Sequence, residues 1–177
     1  MLVGRSNVGK SSLINALTRQ KVARTSAEPG KTRLANVYRI ERESAPPFHL
    51  VDLPGYGYAR REKAQNTGQP AFEEVARAAF DRHPAALLLV DARHPGLDSD
   101  RSAWAWMTAA TERAAVVATK IDKLARGERN RAMRQLQSVY DAPVVPVSAA
   151  TGEGMEDLWK LIASLSKPRP RRTNPNA

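Results

Sequence analysis

At 177 residues the chain is one domain by length, long enough to bury about two-thirds of the surface its unfolded form exposes. It contains no cysteine, which excludes disulfides and thiolate metal sites and fits a reducing compartment, and its formal net charge of +10 attracts polyanions, nucleic acid foremost. No apolar run approaches the roughly 20 residues of a membrane span and the N-terminus lacks a signal-peptide layout, so a cytoplasmic protein with no membrane attachment is expected.

In chain order, "MLV" at 1–3 leads into Gly4 and then a helix predicted over 10–17. Three residues are few for a strand, so the first strand is expected to be cut short at its start. "LANVYRI" at 34–40 and "FHLVD" at 48–52 read as an antiparallel strand pair, with Ser44, Ala45, Pro46 and Pro47 as the break between them. Apolar runs at 85–91, 114–120 and 142–149 are near-continuous, as in parallel strands buried on both faces. Helical patterns lie between them at 72–80, 100–111, 128–140 and 155–165. This alternation predicts an α/β domain over 1–166: a mainly parallel six-stranded sheet with one antiparallel pair, flanked by helices in three layers. The proline-broken, basic stretch 167–177 reads as a disordered tail.

The loop "GRSNVGKS" at 4–11 fits G-x-x-x-x-G-K-[ST] between strand and helix, a phosphate cradle. Gly4 and Gly9 are expected to let the backbone turn and approach phosphate oxygens, with Arg5, Ser6, Asn7 and Val8 between them. Amides from about Asn7 to Ser12 then face the ligand at the helix start, where the dipole favours anions. Lys10 should reach the β- and γ-phosphates, and Ser11 should put its hydroxyl on Mg²⁺.

Three later segments narrow the base to guanine. Asp52-Leu53-Pro54-Gly55 is D-x-x-G at a strand end, with Asp52 able to bind Mg²⁺ through water and the Gly55 amide able to bond the γ-phosphate. Thr119-Lys120-Ile121-Asp122 ends another strand; both Asp122 oxygens can accept from guanine N–H groups that adenine lacks. The Lys120 stem should lie along the base, and Val147-Ser148-Ala149 can offer an amide to guanine O6. For the mobile first switch, Gly30-Lys31-Thr32-Arg33-Leu34 is chosen. The Thr32 hydroxyl would complete the Mg²⁺ shell and its carbonyl would hold the attacking water, with Thr25 as the alternative. Catalysis is thereby assigned to Lys10, Thr32 and Gly55. An ATP-using P-loop kinase is the rival, but it leaves T-K-I-D unexplained. A GTP-gated binding module in which hydrolysis is irrelevant is the second alternative.

The segments "GRSNVGKSSLINAL", "ARTSAEPGKT", "LVDLPGYGYA", "DARHPGLDSD", "TKIDKL" and "GMEDLW", in this order, resemble the EngB family of bacterial ribosome-biogenesis GTPases, relatives of Era and Der. The "DLPGYGYA" stretch, Arg93-His94-Pro95 and the threonine of "TKID" are the more distinctive marks, while "KAQNTGQPAF" at 63–72 departs from the pattern. The resemblance implies GTP and GDP as ligands, Mg²⁺ dependence, slow hydrolysis, and a role in assembling the large ribosomal subunit with its rRNA and proteins. It also implies a link to normal cell division and septation. Asn7 occupies a position that resembles the potassium-ligating asparagine of some Era-related GTPases, making K⁺ a candidate activating charge.

Tyr56 stands where familiar GTPases place a water-orienting glutamine. Two readings are open: a ring packed beneath the second switch, or a partner-facing aromatic acting with Tyr58, Arg60 and Arg61 on RNA. Trp104, Trp106 and Trp159 read as packing residues, and His49, His83 and His94 lack zinc-ligand spacing. Nothing in the sequence demands a dimer, so a monomer is expected.

Overall fold

The computed structural model describes residues 1–23, 35–42, 45–56, 80 and 85–166. Six strands form one sheet: β1 Leu2–Gly4, β2 Asn36–Arg42, β3 Ala45–Asp52, β4 Ala85–Asp91, β5 Arg113–Thr119 and β6 Val144–Pro146. Their spatial order is β2-β3-β1-β4-β5-β6, with β2 and β3 antiparallel and every other pair parallel. Four α-helices accompany them among the described residues: α1 Lys10–Thr18, α2 Asp98–Ala110, α3 Arg126–Val139 and α4 Met155–Ser166. The expected three-layer α/β architecture is therefore present.

Strand periodicity divides the core between the two faces. In β4, Leu88 and Val90 join Val3, Val116, Met107 of α2, and Leu136 of α3 on one side. Leu87 and Leu89 point the other way, meeting Leu2, Ile14 of α1, Val117, and Leu158 of α4. A run apolar at every position thus serves two cores, as a parallel strand covered on both faces requires.

Several boundaries differ from the sequence expectation, and three of the shifts have a clear local reason. Helix α2 begins at Asp98 rather than 100, with Asp98 and Asp100 in its first turn, where the helix dipole favours negative charge. Helix α3 begins at Arg126 rather than 128, because the Glu128 carboxylate accepts from the Ala125 N–H at 2.9 Å and so acts from the third helical position. Strand β3 begins at Ala45, so Pro46 and Pro47 belong to the strand rather than to the break. The register passes from Ile40↔Phe48 to Arg42↔Ala45, giving β3 one extra residue against β2. Such a bulge releases prolines from ladder bonds they cannot make. The helix expected over 72–80 and the tail at 167–177 lie outside the described residues, except for Phe80. No described helix is long and apolar enough to cross a membrane.

Leu88 is fully buried in the central strand, whereas Leu97 is 37% exposed. Leu88→Ala is expected to lower unfolding free energy by about 2–5 kcal/mol in urea titrations, and Leu97→Ala by less than about 0.5 kcal/mol.

Candidate functional site

Parallel strands β1, β3, β4, β5 and β6 end on one side of the sheet, and the loops that follow them meet there. Ligands of open α/β sheets bind at such an edge. The loop after β1 carries Asn7 and Gly9 in left-handed conformation, at φ 63° and 111°. Gly9 is the N-cap of α1, and no side chain caps the helix. The first backbone N–H groups of α1 therefore have no intrahelical acceptor, the condition under which a helix start attracts an anion.

Gly4 is also constrained by packing. It lies inside β1, where a Cβ would stand 2.9 Å from Val8 and 3.1 Å from the Leu89 carbonyl. Close packing of the loop on β4 therefore leaves room for no side chain at this position. Lys10 is buried and donates to the Gly4 carbonyl at 3.1 Å. Burial lowers its pKa, and the negative charge of Asp52 opposes that shift.

Asp52, at the end of β3, is 2% exposed, and its Oδ1 has no hydrogen-bond partner among the described residues. Burial raises its pKa to about 6, with Lys10 offsetting part of the effect. An orphaned buried carboxylate oxygen within the field of Lys10 fits a divalent cation or its water. No group of three or more His, Cys, Asp or Glu side chains arranged to hold a metal occurs among the described residues. Mg²⁺ is commonly bound through only one or two carboxylates together with ligand phosphates, so a single carboxylate such as Asp52 is compatible with it.

Gly55 packs directly on the phosphate loop: a Cβ there would lie 2.8 Å from the Ser6 nitrogen. The next residue extends the sheet, with Tyr56 N–H donating to the Gly4 carbonyl and Ser6 N–H to the Tyr56 carbonyl, both at 3.3 Å. The Tyr56 ring packs against the core cluster containing Met107 and Tyr140, and its hydroxyl donates to Asp100 Oδ1 at 2.7 Å. Arg5 Nε lies 3.1 Å from the same oxygen. Burial, then the adjacent Asp100, pushes the Tyr56 hydroxyl far above its ordinary pKa. Of the two readings of Tyr56, the packed ring is the one this geometry contains; Tyr58, Arg60 and Arg61 lie outside the described residues.

The third and fourth loops form the far end of the site. Lys120 has a left-handed φ of 61° and opens a short 3₁₀ turn, Ile121–Lys123. The Thr119 hydroxyl donates to the Val8 carbonyl at 2.7 Å, and Lys120 Nζ to the Asn7 carbonyl at 2.6 Å. Ser148 is fully buried and its hydroxyl donates to Asp122 Oδ1 at 2.7 Å. That bond, followed by Lys123 close by, lowers the Asp122 pKa despite some desolvation. A cavity of about 120 Å³ opens here, lined by Gly9, Lys120, Asp122, Lys123, Val147 and Ala149 among others. Ile121 instead faces the core and donates its backbone N–H to the Val147 carbonyl.

The structure thus brings together the cradle residues, Asp52, Leu53, Pro54 and Gly55, the 119–122 turn, and 147–149. Gly30, Lys31, Thr32, Arg33, Leu34 and the alternative Thr25 lie outside the described residues. Sequence reasoning missed Asp91 and Asp100, buried carboxylates that meet Lys120 and Tyr56 respectively. A charged residue closing the apolar run 85–91 was the available signal for Asp91.

A family model described as the 50S ribosome-binding GTPase matches residues 1–147. The chain is similar to a probable GTP-binding protein EngB of Anaeromyxobacter sp. (strain K), 39% identical over 178 residues, covering 96% of this chain and 82% of that protein. Among solved structures it is similar to a probable GTP-binding protein EngB, at 23% identity and TM-score 0.63, with 93% and 96% of the two chains covered. It is also similar to Era in complex with MgGDPNP and nucleotides 1506–1542 of 16S ribosomal RNA, at 22% identity and TM-score 0.80. That match covers 96% of this chain and 57% of the Era chain.

Two expectations follow from the site. Tyr56→Phe removes the donor to buried Asp100 and is expected to cost about 1–3 kcal/mol of stability by denaturant titration. Asp52 has a raised folded pKa, so its contribution to stability is present in full below its ordinary value and lost as pH rises through about 6. Asp52→Asn is therefore expected to raise the melting temperature of nucleotide-free protein near pH ~7.5, with the gain shrinking toward pH ~4. An equal gain at both would contradict this account.

Proposed function

This chain belongs to the EngB family of GTP-binding proteins and hydrolyses GTP, and we propose that it does so as a nucleotide-controlled assembly factor for the large ribosomal subunit. The observation that carries the nucleotide half is the convergence of four loops: Lys10 and Gly55 at one end, Asp122 and Ser148 at the other. In this reading the phosphates lie on the cradle from Gly4 to Ser12, and Lys10 turns from the Gly4 carbonyl to the β- and γ-phosphates. The hydrogen bond from buried Ser148 to half-buried Asp122 presents a carboxylate already oriented for guanine N1–H and N2–H₂, while Val147 and Ala149 close the pocket.

Asp52, Ser11 and Thr32 would hold Mg²⁺, which would neutralise charge on the β- and γ-phosphates. The orphaned Asp52 oxygen supports this placement. Thr32 would hold the attacking water through its carbonyl, and the 30–34 segment would close over the phosphates. Tyr56, with its hydroxyl on Asp100, offers no carboxamide to orient that water, so hydrolysis by the isolated protein is slow. A K⁺ ion near Asn7 would supply additional positive charge; equal turnover in potassium and sodium buffers would reject that role.

The ribosomal half draws on three observations. The family model is described as ribosome-binding, an Era structure of the same fold holds 16S rRNA, and this chain carries a net charge of +10 suited to neutralising RNA phosphates. The protein acts in the cytoplasm as a monomer, and any effect on cell division and septation follows from ribosome supply. The position of Tyr56 also favours a second reading, a GTP-gated binding module that needs no hydrolysis. Thr32→Ala separates the two: if the variant binds GTP, fails to hydrolyse it and still supports subunit maturation, the binding module is correct.

Lys10→Ala is expected to abolish nucleotide binding, and Asp122→Asn to shift preference from guanine toward xanthine nucleotides in competition assays. Sedimentation with large-subunit particles should show co-migration with GTP that is reduced with GDP and falls steeply with salt. Binding indifferent to both nucleotide and salt would reject the assembly role.

A further inference from the structure

The stretch Asp91-Ala92-Arg93-His94-Pro95 begins at the last residue of the central strand β4 and runs into the loop after it. Asp91 is 4% exposed, and its carboxylate is surrounded by donors. Arg93 donates to it three times: backbone N–H to Oδ1 at 3.1 Å, Nε to Oδ1 at 2.9 Å, and Nη2 to Oδ2 at 2.7 Å. Lys120 Nζ lies 3.0 Å from the same Oδ2. The backbone nearby is pinned as well, with Ala92 N–H donating to the Thr119 carbonyl at 3.0 Å and His94 N–H to the Asp91 carbonyl at 2.9 Å. Burial opposes ionisation of Asp91, but Arg93 and Lys120 outweigh it and hold the carboxyl well below the usual carboxylate range.

The geometry forms a relay. A planar guanidinium grips a carboxylate in a fixed fork, which a lysine could not do. The fixed carboxylate then holds one side of the Lys120 ammonium, and the Asn7 carbonyl, at 2.6 Å, holds the other. Lysine otherwise swings on a flexible four-carbon stem, so two fixed acceptors are what place that stem along the cavity wall. Arg93 is accessible at the outer end of the relay, its side chain 41% exposed, while the inner end is the phosphate loop.

We propose that Asp91 is a positioning residue for guanine-nucleotide binding, holding Lys120 against both the base cavity and the phosphate loop, and that Arg93 fixes Asp91 for that task. This rests on the reading that guanine occupies the cavity lined by Lys120 and Asp122. Loss of the Asp91 charge frees Lys120, and bound nucleotide then leaves faster because the base wall and the Asn7 carbonyl lose a shared brace.

The test is the dissociation rate of a fluorescent GDP (N-methylanthraniloyl-GDP) from the full chain by stopped flow, for Asp91→Asn, Lys120→Ala and the double variant. Asp91→Asn is expected to speed release by about tenfold, as for loss of one charge-assisted hydrogen bond. In the Lys120→Ala background it should add nothing, because its effect passes through that side chain. Arg93→Ala, at an exposed position, should speed release about threefold and likewise add nothing to Lys120→Ala. It decides the matter should Asp91→Asn fail to fold. Release unchanged by both variants, or effects that add fully to that of Lys120→Ala as a general loss of structure would, overturns the proposal. If Lys120→Ala itself leaves release unchanged, the base-site reading falls and takes this inference with it.

Discussion

Two side chains of one turn hold the site together. The Thr119 hydroxyl reaches the Val8 carbonyl and the Lys120 ammonium reaches the Asn7 carbonyl, across 111 and 113 residues of sequence. These bonds join the loop after β5 to the loop after β1 although β4 lies between the two strands. Because both acceptors are backbone carbonyls of the phosphate loop, the base end and the phosphate end cannot move independently. The threonine of T-K-I-D also shares its hydroxyl with the Val90 carbonyl at 3.2 Å, so the turn is fastened to β4 as well.

A second constraint governs the segment after β3. Gly55 leaves no room for a Cβ against Ser6, and Tyr56 extends the pairing of the sheet toward the phosphate loop. With the phenol anchored on Asp100 at the start of α2, the backbone of residue 55 faces the cradle while the ring faces the core. Tyr56 is therefore a strut, tying the segment after β3 to the helical layer. Asp100 Oδ2 and the Tyr140 hydroxyl are buried nearby without hydrogen-bond partners among the described residues, so the strut stands in a polar pocket whose carboxyl burial drives toward the neutral form.

Much of this was legible in the sequence, and the limits have physical causes. The phosphate loop could be read because its spacing is fixed by local backbone geometry between a strand and a helix. The strands could be read because continuous apolar runs have few other uses, and β4 matched its expected bounds of 85–91. Pro46 and Pro47 misled because a bulge, invisible in composition, gives proline a place in a strand. Asp91 and Asp100 were missed because their partners, Lys120 and Tyr56, lie 29 and 44 residues away, and only packing brings them together. At Gly4 the spacing matched the cradle, while the packing that also forbids a side chain there, from Val8 and Leu89, could not be read from the motif.

The central claim is that four separated loops enclose one guanine nucleotide with its magnesium. Isothermal titration calorimetry of GDP, GTP, ADP and ATP against the purified chain tests it most directly. The account predicts that both guanine nucleotides bind with adenine counterparts at least ~100-fold weaker, as befits a pocket whose carboxylate needs donors that adenine lacks. Equal affinity for adenine and guanine nucleotides, or no binding of either at millimolar concentration, would contradict it.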